Sequence, residues 1–298
     1  MLTTESAESP GFSAHSVWGE AAAAGPFAVL GDDAALSGLH FLRVEGMRTL
    51  LTPAMLAVGT ALAAAAAERR FLCVLGDAGV GKTFAVHAAT RRLGELGSLL
   101  SLEFRAQPAP ADLRSALHRT LGLLGQAPAD PGAADTLIRH ALADRPRIVV
   151  VEDAHRLSAS CMEYLRFLHD GAPGGLCVVL IAARRGERRL RAQRMLATRT
   201  AGWLHVQPLM RDQIPLALHA LHPVWRGVEA GVLMALDARL AGGALRRWAD
   251  GIGEIKRMWT APAHRRRGHA ARILAALERR AAAYGYRSVR LETGSLQA

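Results

Sequence analysis

The sequence predicts an α/β fold, a parallel sheet with helices on both faces. Three observations predict it. From residue 70 onward, short continuous apolar runs alternate with helical stretches, the pattern of strands buried on both faces and joined by crossovers. The run 148–151 is β-branched throughout, as a buried strand prefers. Half of the 298 residues are apolar while only 5% are aromatic, so the core is aliphatic and alanine-rich. That composition suits helices packed on a sheet better than a sandwich or a barrel.

The elements follow in order. Residues 1–44, rich in Ala, Gly and Ser, show no periodicity and read as an irregular segment. They lack the basic start and compact apolar core of a signal peptide. Thr52 before Pro53 reads as an N-cap and first turn of a soluble helix to about residue 67, too short to span a bilayer. Strands are expected at 71–75, 99–104, 148–151, 176–182 and 203–206. Helices are expected after Gly81 and at about 111–123 and 133–143, separated by a Pro/Gly-bearing turn at 127–132. Beyond Pro208 the strands stop, and helices at about 211–221, 228–239 and 243–249 read as a lid behind the sheet. The character changes at Asp250. The expected organisation is therefore an N-terminal segment 1–44, a sheet domain with its lid at 45–250, and a small α/β unit at 251–298.

Lys and Arg number 37 against 26 Asp and Glu, a formal charge of +11. Such an excess attracts polyanions, and arginine neutralises nucleic-acid phosphates without reading sequence. Cys73, Cys161 and Cys177 have no zinc spacing, and their odd number argues against a disulfide framework. A reducing, cytoplasmic compartment is expected, with no membrane partner.

Gly76-Asp77-Ala78-Gly79-Val80-Gly81-Lys82-Thr83 is a complete G-x-x-x-x-G-K-T between a strand and a helix, the context this phosphate loop requires. Its glycines let backbone N–H groups wrap phosphate oxygens, and the helix start adds its positive end. Lys82 reaches the β- and γ-phosphates of ATP, and the Thr83 hydroxyl ligates Mg²⁺. The strand 148–151 then ends in Glu152-Asp153, where a Walker B motif presents carboxylates. The usual order is Asp then Glu. Here Glu152 takes the metal side and Asp153 the water side, its shorter carboxylate about 1.5 Å further from the water. Binding survives this exchange; hydrolysis is expected to be slow, or absent in a pure ATP switch. Arg184 reads as a solvated arginine that could also reach phosphate. Arg199 reads either as a residue neutralising transition-state charge in a neighbouring subunit or as a surface salt bridge. Gly243-Ala244-Leu245-Arg246, opening the last lid helix, resembles the second sensor of AAA+ ATPases, which implies that Arg246 reaches the γ-phosphate.

On these residues the stretch of about 45–249 resembles bacterial AAA+ ATPases of the transposition-regulator kind, similar to TniB and MuB. The resemblance is carried by 76–83, the turn 151–158 (Val-Glu-Asp-Ala-His-Arg-Leu-Ser), 163–170 and 221–225. It implies binding of duplex DNA in the ATP-loaded state, homo-oligomeric assembly and recruitment of a transposase or similar protein. The reversed acids depart from the family, as do Ala183 and Arg184, which stand where such ATPases often carry a polar residue that senses the γ-phosphate.

The stretch 254–262 (Glu-Ile-Lys-Arg-Met-Trp-Thr-Ala-Pro) begins a second signal. It continues through Arg265-Arg266-Arg267-Gly268-His269-Ala270, a helix at about 270–283 and a strand at 287–294. This resembles the central strand, pyrophosphate loop, helix and next strand of GNAT acetyltransferases. The family's R-x-x-G-x-A falls on Arg265, Gly268 and Ala270. Arg265, Arg267, Gly268, His269 and Ala270 are thereby implied to bind acetyl-CoA, whose pyrophosphate meets backbone N–H groups at a helix start. Arg266 replaces a frequent glycine. Residues 232–248 admit a second reading as GNAT strands, but the lid is preferred, which leaves 251–298 as a fragment of a gene fusion or shifted frame. The expected function is an ATPase regulating transposition on DNA. The alternative is an acetyl-CoA-dependent N-acetyltransferase with an accessory ATPase.

Overall fold

The computed structural model describes residues 17–18, 27–30, 48–93, 97–104, 107–172, 175–210, 212–222, 225, 241–249, 251–260 and 265–291. The chain forms two compact units, Met1–Leu39 with Thr49–Leu209 and His40–Arg48 with Met210–Ala298.

In the first unit a short pair, β1 (Ala28–Leu30) and β2 (Thr49–Leu51), runs antiparallel. The N-terminal segment, expected to be irregular throughout, thus contributes a strand. It also sends Trp18 into the core. Gly59 of the helix α1 (Pro53–Ala67) leaves the space that the Trp18 ring fills. The expected cap of α1 forms: the Met55 N–H donates to Thr52 Oγ1 at 3.2 Å, with Pro53 in the first turn.

The main sheet has five parallel strands, β3 (Phe71–Gly76), β4 (Ser98–Leu102), β5 (Arg147–Val151), β6 (Leu176–Ala183) and β7 (Thr200–His205). Their order is β4-β5-β6-β3-β7, so β6 lies between β3 and β5. The two-residue period of a strand divides their side chains between two cores. Phe71, Cys73, Leu75, Val149, Val151, Val178 and Leu180 pack under α3 (Pro110–Thr120), α4 (Pro131–Ala143) and α5 (Ala159–Asp170). Leu72, Val74, Ile148, Val150, Val179 and Ile181 pack under α1 and α2 (Lys82–Arg92). Both faces are therefore covered, as the unbroken apolar runs require. Two short helices, α6 (Glu187–Arg191) and α7 (Arg194–Arg199), join β6 to β7. The three cysteines are free and buried, and burial pushes the Cys73 and Cys177 thiols up to about 12.

The second unit contains α8 (Gln213–Leu221), β8 (Ala241–Ala249), β9 (Ile252–Thr260), α9 (His269–Ala283) and β10 (Ser288–Leu291). β9 is central, antiparallel to β8 and parallel to β10. The expected lid helix at 243–249 is corrected here: that stretch is β8, and Arg246 stands opposite Glu254 in the strand register. The backbone groups of 241–249 pair with the next strand, β9, and that pairing overrides the local helical preference of Ala, Leu and Arg. The expected break at Asp250 accordingly falls inside a hairpin, while the compact units part between Leu209 and Met210. The expected helix at 228–239 lies outside the described residues. No helix among them is long and apolar enough to cross a membrane.

Candidate nucleotide site

The site is assembled at the ends of β3 and β5. β3 ends at Gly76, where a Cβ would come within 2.7 Å of the Val206 carbonyl, and the loop begins beyond it. Gly79 and Gly81 have φ of +85° and +87°, a region glycine enters without steric cost. The loop these glycines permit delivers Lys82 and Thr83 into the first turn of α2. Lys82 Nζ donates to the Asp77 carbonyl at 2.7 Å, across the mouth of its own loop. Burial holds the Lys82 ammonium below its ordinary pKa, opposed by the carboxylates of Asp77, Glu152 and Asp153.

Thr83 Oγ1 donates to Glu152 Oε2 at 2.8 Å, joining the phosphate loop to the end of β5. The other oxygen, Glu152 Oε1, is buried without a hydrogen-bond partner, 3.6 Å from His87 Nε2. Burial raises the Glu152 pKa, helped by Glu103 and Asp153 and opposed by the Thr83 hydrogen bond. A magnesium ion fits this arrangement, since a hydroxyl and a carboxylate are hard oxygen donors and the orphaned oxygen would gain a partner.

Asp153 adopts φ 48° and ψ 37° and opens a single 3₁₀ turn, Ala154–Arg156. Its carboxylate is more than half exposed and lies 3.8 Å from Arg156 Nε. Short polar side chains tolerate this left-handed conformation better than long ones. An aspartate therefore suits position 153, a local reason for the reversed acids. His155 follows, its Nδ1 buried without a partner and its pKa lowered chiefly by burial.

The remaining expected residues lie elsewhere. Arg199 forks onto Asp170, with Nε and Nη2 at 2.8 and 2.9 Å from the two carboxylate oxygens. The salt-bridge reading thus describes its place in this chain. Arg184 sits exposed on the turn after β6. Arg246 belongs to the sheet of the second unit, not to a helix. In that unit Arg265 Nε donates to the Thr260 carbonyl at 3.2 Å, and Gly268, with φ of 74°, caps the start of α9. His269 and Ala270 occupy its first turn. Arg266 has φ of 64°, so the chain holds arginine where a glycine would be unstrained.

His87 and Glu103 were not among the expected site residues. His87 follows Thr83 by one helical turn, the spacing that shares a helix face. Glu103 follows Leu102, which ends β4 paired with Val151, so it lies just past the strand beside Glu152. Both placements need the register of the sheet as well as the motif.

Comparison with known proteins agrees with this division. Residues 66–190 match the AAA domain family, and residues 203–297 match the acetyltransferase (GNAT) family. The first stretch is thus similar to AAA domains and the second to GNAT acetyltransferases. Among solved structures, Cdc6p from Pyrobaculum aerophilum is similar at 14% identity with a TM-score of 0.53, over 72% of this chain and 60% of that one. The Orc1 protein of Aeropyrum pernix, solved in complex with DNA, is similar at 18% identity with a TM-score of 0.46, over 56% of this chain and 47% of that one. At these identities the likeness is one of fold, and this chain spans about half to three-fifths of either structure. No curated protein matches it in sequence.

Proposed function

We propose that this chain is a cytoplasmic AAA+ ATP switch that assembles with copies of itself and holds duplex DNA in its ATP-loaded state. Through that state it would engage a transposase or similar partner, as the resemblance to TniB and MuB implies. The observation that carries the nucleotide reading is the 2.8 Å contact of Thr83 with Glu152 at the foot of a complete phosphate loop. Gly76, Asp77, Ala78, Gly79, Val80 and Gly81 present backbone donors to the phosphates, and Lys82 leaves the Asp77 carbonyl to meet the β- and γ-oxygens. Thr83 and Glu152 would hold Mg²⁺, which offsets the phosphate charge when bound. Asp153 orients the attacking water and takes its proton as the water oxygen bonds to the γ-phosphorus and the bond to ADP breaks. The exposed, left-handed setting of Asp153 supports slow turnover. Arg199 would have to leave Asp170 to act on a neighbour's nucleotide.

The DNA reading is tested by anisotropy of a labelled duplex with Mg²⁺ and either ATP or ADP. Binding stronger with ATP, indifferent to sequence and steeply weakened by salt is expected. No binding to duplex with ATP at low salt would remove DNA from its partners.

A second reading, N-acetyl transfer from acetyl-CoA to an amine, is favoured by one observation: β8 is a strand in register with β9, where a lid helix was expected. The loop at Arg265, Arg267 and Gly268 would then present the start of α9, with His269 and Ala270, to the coenzyme A pyrophosphate.

A further inference from the structure

Between β6 and α7 the chain reads Arg184-Arg185-Gly186-Glu187-Arg188-Arg189-Leu190-Arg191-Ala192-Gln193-Arg194, six arginines and one acid in eleven residues. All six arginines are exposed. Arg184, Arg185, Arg188 and Arg191 line one shallow open depression together with Glu187. The single carboxylate is already committed, since Arg191 Nε and His205 Nε2 each lie 2.8 Å from one of its oxygens. Arg191 also covers the Trp203 ring at 4.3 Å, and Arg189 donates to the Leu157 carbonyl at 3.0 Å. The side chains of Arg184, Arg185, Arg188 and Arg194 have neither an ion pair nor a hydrogen bond to any described residue. Arg184, Arg185 and Arg188, unbalanced around one depression, repel one another, and an anion relieves that repulsion.

The surroundings select among anions. Leu190, the one large apolar residue of the stretch, is 2% exposed, so no apolar face is left to enter a lipid layer. The face of Trp203 is taken by Arg191, so it offers no platform for an unpaired base. A duplex instead brings a row of phosphates to separate arginines and needs no base contact. The depression is also braced on the nucleotide site. A Cβ on Gly186 would collide with His155, two residues after Asp153, and α6 is tied to Leu157 through Arg189. Burial, joined by the charges of Arg156, Arg185 and Arg189 and opposed by Asp153, lowers the His155 pKa.

We propose that Arg184, Arg185, Arg188 and Arg194 form the surface that holds the phosphate backbone of duplex DNA. This rests on the DNA-binding reading above and assigns its surface. The test compares the full chain with two variants, one carrying alanine and one lysine at all four positions, by anisotropy of a labelled duplex with ATP and Mg²⁺ over a salt series. The alanine variant should bind at least about tenfold more weakly on unrelated sequences, and its salt slope should fall by about 1 per arginine that held a phosphate. The lysine variant should retain most of the binding, because charge alone is required. Unchanged nucleotide affinity in both variants reports an intact fold. Should the alanine variant lose nucleotide affinity, the pair Arg184→Gln with Arg188→Gln is read in the same way. Duplex binding equal to that of the unaltered chain would overturn this surface and leave the DNA reading standing. No duplex binding by the unaltered chain would overturn both. Normal DNA binding with loss of ATP-dependent assembly would assign the patch to a neighbouring copy and overturn it as well.

Discussion

At the scale of single residues, the site turns on two carboxylates with opposite surroundings. Glu152 is buried between Thr83 and His87, and Asp153 faces solvent on a left-handed turn. The exchange Glu152→Asp with Asp153→Glu restores the usual order of acids. It sets two effects against each other: a longer base reaches the water, while a glutamate fits the positive φ at 153 less well. Turnover should rise, with a stability loss on the order of 1 kcal/mol. A phosphate-release assay beside thermal unfolding reads both, and slower turnover in a folded double variant would contradict the assigned roles. The loop, Lys82, Thr83 and the two acids were legible from spacing alone, because the phosphate chemistry is local in sequence. The orphaned Glu152 oxygen and its neighbour His87 were not, since they depend on how far α2 stands from β5.

Among elements, the strands of the first unit were legible for a simple reason. A strand buried on both faces is apolar at every position, and 71–75, 148–151 and 176–182 show it. Helix α1 announced itself through Thr52 and Pro53. The strand β8 did not, because its pairing with β9 is a tertiary fact. Gly243, read as the opening of a helix, instead sits where the register between the strands shifts, a usual place for glycine in a sheet. Packing between elements also fixes the place of Arg199. It ends α7 and grips Asp170 at the end of α5, and this hydrogen-bonded pair is the largest cause that brings the Asp170 pKa down to about 2. A depressed carboxylate stabilises the fold above its unfolded value and loses that contribution as pH falls through the folded one. Solvent screening limits the pair to about 1 kcal/mol or less. Arg199→Ala should therefore unfold at lower urea than the unaltered chain at pH 7, and the gap should close as pH falls from about 4 to 2. A gap that stays constant over that range would show that Arg199 acts through something other than Asp170.

On the scale of the whole molecule, the chain combines two loops of one physical type, each glycine-bearing and each opening a helix. The first has Gly79, Gly81 and a lysine that supplies charge; the second has Gly268 and arginines. That shared physics made both loops legible. The boundary between them was misplaced because helical composition in 211–249 suits a lid as well as a sheet edge. Central to the proposed function is the binding of ATP with magnesium by the loop at 76–83. Titration of a fluorescent ATP analogue into the full chain and into Lys82→Ala, with and without Mg²⁺, measures this directly. The unaltered chain should bind saturably and more tightly with Mg²⁺, and Lys82→Ala should lose about 1.5–3 kcal/mol of affinity, the range for a charge-assisted contact. Equal affinity in the two proteins, or no saturable binding in the unaltered chain, would contradict the account.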